Sequence, residues 1–344
     1  MKEGSRRRLT WLVLCCALTF AVIVLGGVVR LLRAGLSITE WDPVTGILPP
    51  LGELGWRDAF DRYRATPEFA EFNSTIGLPE FREIYLLEYA HRLLARLTGL
   101  AVALPLAYGL ARREISRREA RPILAVFVAG GLQAGLGWLM VKSGLTDVPH
   151  VSPYRLTAHL VVGTALFATI VWMIAGERPR QGTRGASTGA VRLGALTLAA
   201  ALVTFVWGGL MAGTHAGHVF PTFPTMGGAW LPVDLASLPR TCATDPAAIH
   251  FVHRFVAVVF SVACSAFAWS ARRVSAHAHL LATLTFAALL VQLTLGAFVV
   301  LLHVPVVLAS LHQANAVLLV GLLTATVHEA SRPGDPSATP DGTS

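Results

Sequence analysis

Eight apolar stretches, each near the roughly 20 residues that an α-helix needs to cross a bilayer, constrain this chain more than any other feature. They fall near residues 9–32, 84–110, 121–141, 155–175, 191–213, 249–270, 278–302 and 304–328. In lipid, such segments satisfy their backbone N–H and C=O groups only as helices, because no water is available to pair with them. The first stretch follows an arginine-rich start, but it runs past 20 residues with no small-residue cleavage motif after it, so it reads as a retained helix. The last two stretches are parted only by Leu302 to Pro305. Pro305 supplies the break, since it lacks a donor and disfavours helix at His303 and Val304. The expected fold class is an all-α polytopic membrane protein with eight transmembrane helices.

Charge placement gives the orientation. The chain carries 28 basic and 20 acidic residues, a net +8, which in a soluble protein would suggest nucleic-acid binding. With both termini cytoplasmic, the inner segments hold 16 bases and 7 acids, among them Arg6 to Arg8, Arg112, Arg113, Arg117, Arg118, Arg121, Arg178, Arg180, Arg184 and Arg272. All remaining segments together are nearly neutral, so the positive-inside rule absorbs the whole excess and nucleic acid is excluded as a partner. The expected location is the inner (cytoplasmic) membrane of the cell. Two outer segments are long, about 34–83 and 214–248, whereas the inner loops are short and basic, which favours chemistry on the outer face. Within the first, Trp56, Phe60, Tyr63 and Phe69 recur at helical spacing in the stretch Trp56 to Phe72, which reads either as a lid on the membrane surface or as a solvated loop with a short helix. Cys15, Cys16 and Cys264 lie in predicted helices and Cys242 in an outer loop, so no outer disulfide within the chain is available.

The halves repeat. Leu25-Gly26-Gly27 matches Trp207-Gly208-Gly209, and Glu88-Tyr89-Ala90-His91-Arg92 matches His250-Phe251-Val252-His253-Arg254. Gln133 to Gly137 matches Gln292 to Gly296, and His159 matches His312. Four helices separate equivalent positions, an even offset, so the repeat is parallel, about an axis along the membrane normal. Two pseudo-symmetric four-helix bundles follow, residues 1–176 and 177–330, with 331–344 as a disordered cytoplasmic tail.

His91, His159, His253 and His312 each lie a few residues into an even-numbered span, which at about 1.5 Å rise per residue puts each ring roughly 5–10 Å below the outer boundary. Imidazoles from facing helices at one depth suit axial ligation of haem iron, which is gripped from both faces. Zinc would need further ligands at ligand spacing, and these helices carry none. The expectation is two b-type haem sites. Arg92, Arg254 and Arg96 are costly at membrane depth unless they meet an anion, and haem propionates suit their forked donors; snorkelling to the interface is the alternative. Glu88 breaks the symmetry, since His250 occupies its place in the second half. It reads either as a desolvated proton-transfer group or as an interfacial carboxylate paired with Arg92 or Arg82. Gly26-Gly27, Gly208-Gly209, Gly130, Gly131, Gly135 and Gly137 allow close helix approach or make room for a flat macrocycle, and either use fits the sequence.

Together with Gly26 to Leu31, Gly35 to Gly46, Glu80-Phe81, Pro153 to Leu156, Met211 to Gly213, Thr222-Phe223-Pro224 and Leu311-His312-Gln313, these motifs resemble those of the haem A synthases over nearly the whole chain. No cysteine pair stands in the first outer loop, so the likeness is to the mitochondrial and proteobacterial branch; Val29, Leu32, Ala95 and Pro221 depart from the usual residues. The resemblance implies that haem O is oxidised at a ring methyl group to the formyl of haem A. It implies that His91 and His159 hold the substrate haem, His253 and His312 a resident haem b that passes electrons, and Glu88 serves as the catalytic carboxylate. Haem O synthase is the implied donor of substrate and the cytochrome oxidase assembly pathway the destination of product, while the membrane electron donor and a homo-oligomer stay open. The rival reading is a di-haem b-type membrane electron carrier that leaves its haem unmodified, a reading in which Glu88 has no task. A repeat-built transporter would instead break its helices near the midplane.

Overall fold

A computed structural model describes residues 3–42, 45–146, 148–178 and 188–332. Arg180 and Arg184 of the charge count, Pro43 and Val44 of the loop motif, and the expected tail from residue 333 onward lie outside the described residues. The described chain is helical: α1 (Glu3–Leu31), α2 (Gly52–Arg64), α3 (Leu78–Ala111), α4 (Arg117–Lys142), α5 (Pro153–Glu177), α6 (Thr188–Gly213), α7 (Leu238–Thr241), α8 (Pro246–Ala271), α9 (Ala276–Leu301) and α10 (Val306–Ser331). Eight of these, all but α2 and α7, are long and apolar enough to span a membrane. This is a multi-pass membrane protein.

The helix ends follow local chemistry. Ser116 caps α4, accepting from Glu119 N while the Glu119 carboxylate accepts from Ser116 N. Asp245 and Ser275 cap α8 and α9 in the same manner, through Ala248 N and Ala278 N. Between α9 and α10 the chain turns as Pro305 requires: His303 and Val304 adopt φ of 61° and 62°, and Val304 N closes α9 onto Val299 O at 2.7 Å. Positive φ is costly for β-branched Val304, so tertiary packing enforces this turn.

The chain forms two compact units, one of Ala17–Leu166, the other joining the residues up to Cys16 with those from Phe167 onward. The first holds most of α1, α2 to α4 and the first half of α5. Its long connection between α1 and α3 folds into α2 and a π-helical turn, Phe69–Asn73. Tyr63 and Phe81 are fully buried there among Trp56, Phe60, Phe69 and Tyr85, with ring centroids 5.0–5.9 Å apart. Aromatic pairs of this kind add about 0.5–1.5 kcal/mol each beyond area burial. The expected amphipathic lid is thus a folded aromatic cap on α3, placed by Phe81 and Tyr85 from that helix. The second unit packs α6, α8, α9 and α10 around small and medium residues, Ala201, Cys264, Ala271, Ala282 and Ala330 among them, with Phe267 against Gly194. Small residues let helices approach closely where lipid gives no hydrophobic drive for association. Large apolar side chains such as Leu104, Leu132, Val262 and Val307 are exposed, as lipid-facing surfaces require.

Candidate functional site: two histidine pairs and one buried carboxylate

Each of the four expected histidines lies against a glycine of a neighbouring helix. A Cβ added to Gly26 would stand 2.9 Å from His91 Cε1, to Gly137 2.8 Å from His159, to Gly208 3.3 Å from His253, and to Gly296 3.0 Å from His312. Every ring also meets the backbone four residues before its glycine, at Val22, Gln133, Thr204 and Gln292 respectively. Residues i and i+4 share a helix face. A glycine at i+4 therefore removes the one side chain that would keep the imidazole from the carbonyl at i, and the same device recurs four times. Two of these histidines lie in each compact unit, His91 and His159 in the first and His253 and His312 in the second.

The Nδ1 atoms of His91, His159 and His253 are buried without a hydrogen-bond partner. An imidazole held by a carbonyl at one nitrogen keeps a lone pair at the other, and which nitrogen ligates is set by the hydrogen bond the other makes. Two glutamines at equivalent positions brace one member of each pair. Gln133 Nε2 donates to the His159 carbonyl at 2.7 Å; Gln292 Nε2 lies 3.2 Å from both ring nitrogens of His312 and is itself oriented by Asn315, which donates to its Oε1 at 2.8 Å. Gly130, Gly131 and Gly135 have no atom within 4 Å of an added Cβ, so close helix approach is not their use, whereas Gly137 makes its approach to His159.

His91 differs from expectation in its position along the helix. The other three stand six or seven residues into α5, α8 and α10, but α3 begins at Leu78, thirteen residues before His91. The polar first turns of α3 are helical because Glu80 Oε2 accepts from Gly77 N at 3.0 Å and Pro79 suits an N-terminal turn. Apolarity alone begins too late to reveal them.

Glu88 is 3% exposed on α3, one turn before His91. Its Oε2 accepts from Ser37 Oγ at 2.7 Å and from Ile38 N at 2.9 Å, and its Oε1 accepts from Arg92 Nη2 at 2.7 Å and Nε at 3.1 Å. It is thus buried and paired with Arg92. Arg82 pairs instead with Glu53, at 2.6 Å. Arg92 further donates to the carbonyls of Ile38 and Glu40, each at 2.9 Å. In the second unit Arg254 repeats this geometry. Its Nε donates to His250 Nε2 at 3.0 Å, and its Nη2 reaches the carbonyls of Thr222 at 2.8 Å and Phe220 at 3.2 Å. In both units an arginine one residue after the helix-borne histidine clasps two loop carbonyls two residues apart, and only the partner on its own helix differs. Arg96 is more exposed and donates to Asp42 O at 2.7 Å.

Three features escaped the sequence reading. Ser37 and the Ile38 amide complete the shell of donors around Glu88, and backbone donors carry no side-chain signal. Glu68 is 5% exposed in the cap, accepting from Tyr63 Oη at 3.2 Å; Tyr63 Oη accepts in turn from Asn73 Nδ2 at 2.6 Å. Its signal was an acid beside the apolar face of the amphipathic stretch. Burial pushes the Glu68 carboxyl up to about 7, with the Tyr63 hydroxyl opposing that rise, the Glu88 charge adding to it and the Arg33 guanidinium opposing.

These features define a class: multi-pass helical membrane proteins with two glycine-backed histidines in each of two compact units and a buried carboxylate one turn before one of them. Residues 9–324 match the COX15-CtaA family, described as cytochrome oxidase assembly protein. The chain is 40% identical over 334 residues to a protein named "Heme A synthase" from Nitrosospira multiformis, covering 94% of this chain and 93% of the relative. Relatives of the same name from Parvibaculum lavamentivorans and Rhodospirillum centenum are 37% and 38% identical, covering 94% and 95% of this chain and 94% and 89% of their own. The chain belongs to the COX15-CtaA family, the family of the haem A synthases.

Proposed function

We propose that this protein is a haem A synthase, an oxidoreductase that converts a ring methyl group of haem O to the formyl group of haem A. The observation that carries the reading is the asymmetry of two otherwise matched units: both hold a histidine pair, and only the first sets a buried carboxylate one turn from its histidine. His91 and His159 would hold the substrate, and His253 and His312 a resident haem b. The four glycine-cradled rings, three of them with a buried unpartnered Nδ1 (His91, His159 and His253), fit bis-imidazole ligation of a flat porphyrin. When bound, haem supplies the redox centre, and the protein supplies orientation and proton handling.

In this reading the glycine contacts and the Gln133 and Gln292 braces fix the planes of the rings. The aromatic cap excludes bulk water from the side of α3 that carries Glu88. Glu88, held by Ser37, the Ile38 amide and Arg92, accepts the proton released as the methyl carbon is oxidised. Arg92 divides its hydrogen bonds between Glu88 and two loop carbonyls, and Arg254 gives most of its own to loop carbonyls, so both pin a loop over a histidine; with Arg96 they also supply positive charge suited to propionates. A farnesylated, nearly insoluble substrate suits handover within the membrane from a haem O synthase, and the product suits delivery to cytochrome oxidase assembly. The basic segments suit the cytoplasmic side of an inner membrane, with both termini there.

The test is haem extraction from cells expressing wild type or Glu88→Ala. Wild type should yield haem A, and the variant at least about 100-fold less, the lower range for loss of a positioned proton-transfer group, while both retain haem. Undiminished haem A in the variant removes Glu88 from the chemistry. Wild-type protein containing only haem b would favour the di-haem electron carrier.

A further inference from the structure

A polar cavity of about 50 Å³ lies between the loop after α1, α2 and α3, with room for several waters at about 10–15 Å³ each. It opens to solvent beside exposed Glu40 and Asp42. Its arginines are already engaged: Arg92 with Glu88, Arg96 with the Asp42 carbonyl, and Arg62 with Asp58 and Glu40. Water, rather than a further anion, is the occupant that this lining suits. Glu88 itself, 3% exposed, is not part of the lining. Among the described residues, three both line the cavity and hydrogen-bond Glu88: Ser37, Ile38 and Arg92. A backbone amide N–H and a guanidinium only donate, whereas a hydroxyl donates one hydrogen and accepts through two lone pairs. Of the three, only Ser37 can both take a proton from Glu88 and give one up.

Ser37 Oγ stands between two acceptors, Glu88 Oε2 at 2.7 Å and Ala34 O at 2.8 Å. Its single hydrogen serves the Glu88 carboxylate; once Glu88 is protonated, the acid can donate to Ser37 Oγ while the hydroxyl turns to Ala34 O. Rotation of one hydroxyl thus satisfies both protonation states. The second unit lacks this group. The spacing that relates Gly26 to Gly208 also relates Arg33 to His215, with φ of 51° and 55°, and the clasped Ile38 and Glu40 to Phe220 and Thr222. It places Val219 where Ser37 stands, so the hydroxyl accompanies the carboxylate and an apolar side chain accompanies His250. We propose that Ser37 is the proton relay between Glu88 and the water of this cavity. The inference rests on the proposed role of Glu88, through which Ser37 acts. The step moves one proton and no electrons: the Glu88 carboxyl gives its proton to Ser37 Oγ, Ser37 gives its own to a cavity water, and the hydronium so formed leaves to solvent. Glu88 returns to carboxylate and Ser37 to hydroxyl.

Time-resolved infrared spectra of the full-length protein after a downward pH jump test the relay without turnover, since the route runs in both directions. The carboxylic-acid carbonyl band of Glu88, identified by its absence from Glu88→Gln, should appear at least about tenfold more slowly in Ser37→Ala than in wild type, within the loss expected for a positioned proton-transfer group. Ser37→Thr keeps the hydroxyl and should recover most of the rate. Haem A formation should fall in the same order, and its solvent deuterium isotope effect should be larger in Ser37→Ala than in wild type, because proton transfer then limits the reaction. An unchanged isotope effect in a slowed Ser37→Ala would mark a packing defect and overturns the proposal. Equal rates of band appearance in wild type and Ser37→Ala overturn it too, as does equal slowing in Ser37→Ala and Ser37→Thr. Should Ser37→Ala fail to fold, Ser37→Cys, close in size and only a weak donor, should be slower than wild type, and an unchanged rate overturns the proposal. A wild type that makes no haem A counts against the proposed function, while the infrared rates still decide the relay.

Discussion

Gly137→Ala is the smallest change that tests the histidine cradles. The new methyl would lie 2.8 Å from His159 Cε1, and ordinary contact begins at about 3.4 Å, so the ring must retreat by about 0.6 Å, the gap between those values. It has little freedom to do so, because the same ring meets the Gln133 backbone and the Gln133 side chain binds the His159 carbonyl at 2.7 Å. Overpacking of this kind costs about 1–3 kcal/mol, against a gain of about 1 kcal/mol from replacing glycine inside a helix. Ligand geometry tolerates displacements of about 0.5 Å, so the variant should remain folded yet lose haem from the first unit. Gly208→Ala, whose methyl would stand 3.3 Å from His253 Cε1, needs a shift of only about 0.1 Å and should keep its haem. Gly130→Ala and Gly131→Ala, with nothing within 4 Å, are matched controls on the same helix as Gly137. The assay is haem stoichiometry by pyridine haemochrome on purified protein, with the low-spin electron paramagnetic resonance signals separating the two sites. Equal haem content and unchanged spectra in Gly137→Ala and Gly208→Ala would refute the cradle.

Two further outcomes follow from the same geometry. His250→Ala leaves the Arg254 Nε, now bonded at 3.0 Å to a fully buried imidazole, without its acceptor. A buried unsatisfied donor costs about 1–3 kcal/mol, so thermal unfolding should come earlier, and His250→Gln, which restores an acceptor, should recover much of the loss; equal stability of wild type and the alanine variant would refute it. The cap should also loosen as pH rises. Glu68 titrates at about 7 in the folded chain, above the ordinary carboxylate range, so the folded state binds more protons. The stability it contributes is complete below that ordinary range and is lost as pH rises through 7, which predicts lower amide protection factors, referred to the intrinsic exchange rate at each pH, across residues 45–77 at pH 8.5 than at pH 5. Glu68→Gln should show no such difference, and faster opening at the lower pH would contradict the sign.

The spans were legible because a bilayer enforces them: the apolar stretches match the eight long helices to within two residues except where a helix extends beyond its apolar part, and the break at Pro305 occurs where a missing donor demands it. The helix before His91 was misjudged by two turns, since Leu78 to Glu83 is held by Glu80 on Gly77 N and by the aromatic cap rather than by lipid. The histidines were legible through the repeat, but the use of the glycines was not. Gly130, Gly131 and Gly137 look alike in sequence, and only the approach of His159 to the last distinguishes them. Glu68 was hidden for a related reason. An acid in a polar loop reads as solvated, and its burial depends on where Tyr63 and Phe81 place the cap.

The same packing explains how one scaffold can carry two tasks. In each unit the arginine after the helix-borne histidine ties a loop to its helix through a pair of carbonyls, Ile38 and Glu40 or Phe220 and Thr222. That clasp does not depend on what sits one turn earlier, because Arg92 and Arg254 each turn the Nε edge of the guanidinium to that residue and the remaining donors to the loop. Glu88 and His250 are therefore interchangeable as acceptors for the clasp while differing in charge. The first unit adds a neighbourhood that the second lacks at the equivalent place: Ser37 and the Ile38 amide on the carboxylate, and a cap carrying Glu68 within its field. A carboxylate can take and pass on a proton. A neutral imidazole bonded to a guanidinium can keep its loop closed without doing so. The two halves thus differ at one clasp residue and in the loop beside it, while their histidine cradles are alike.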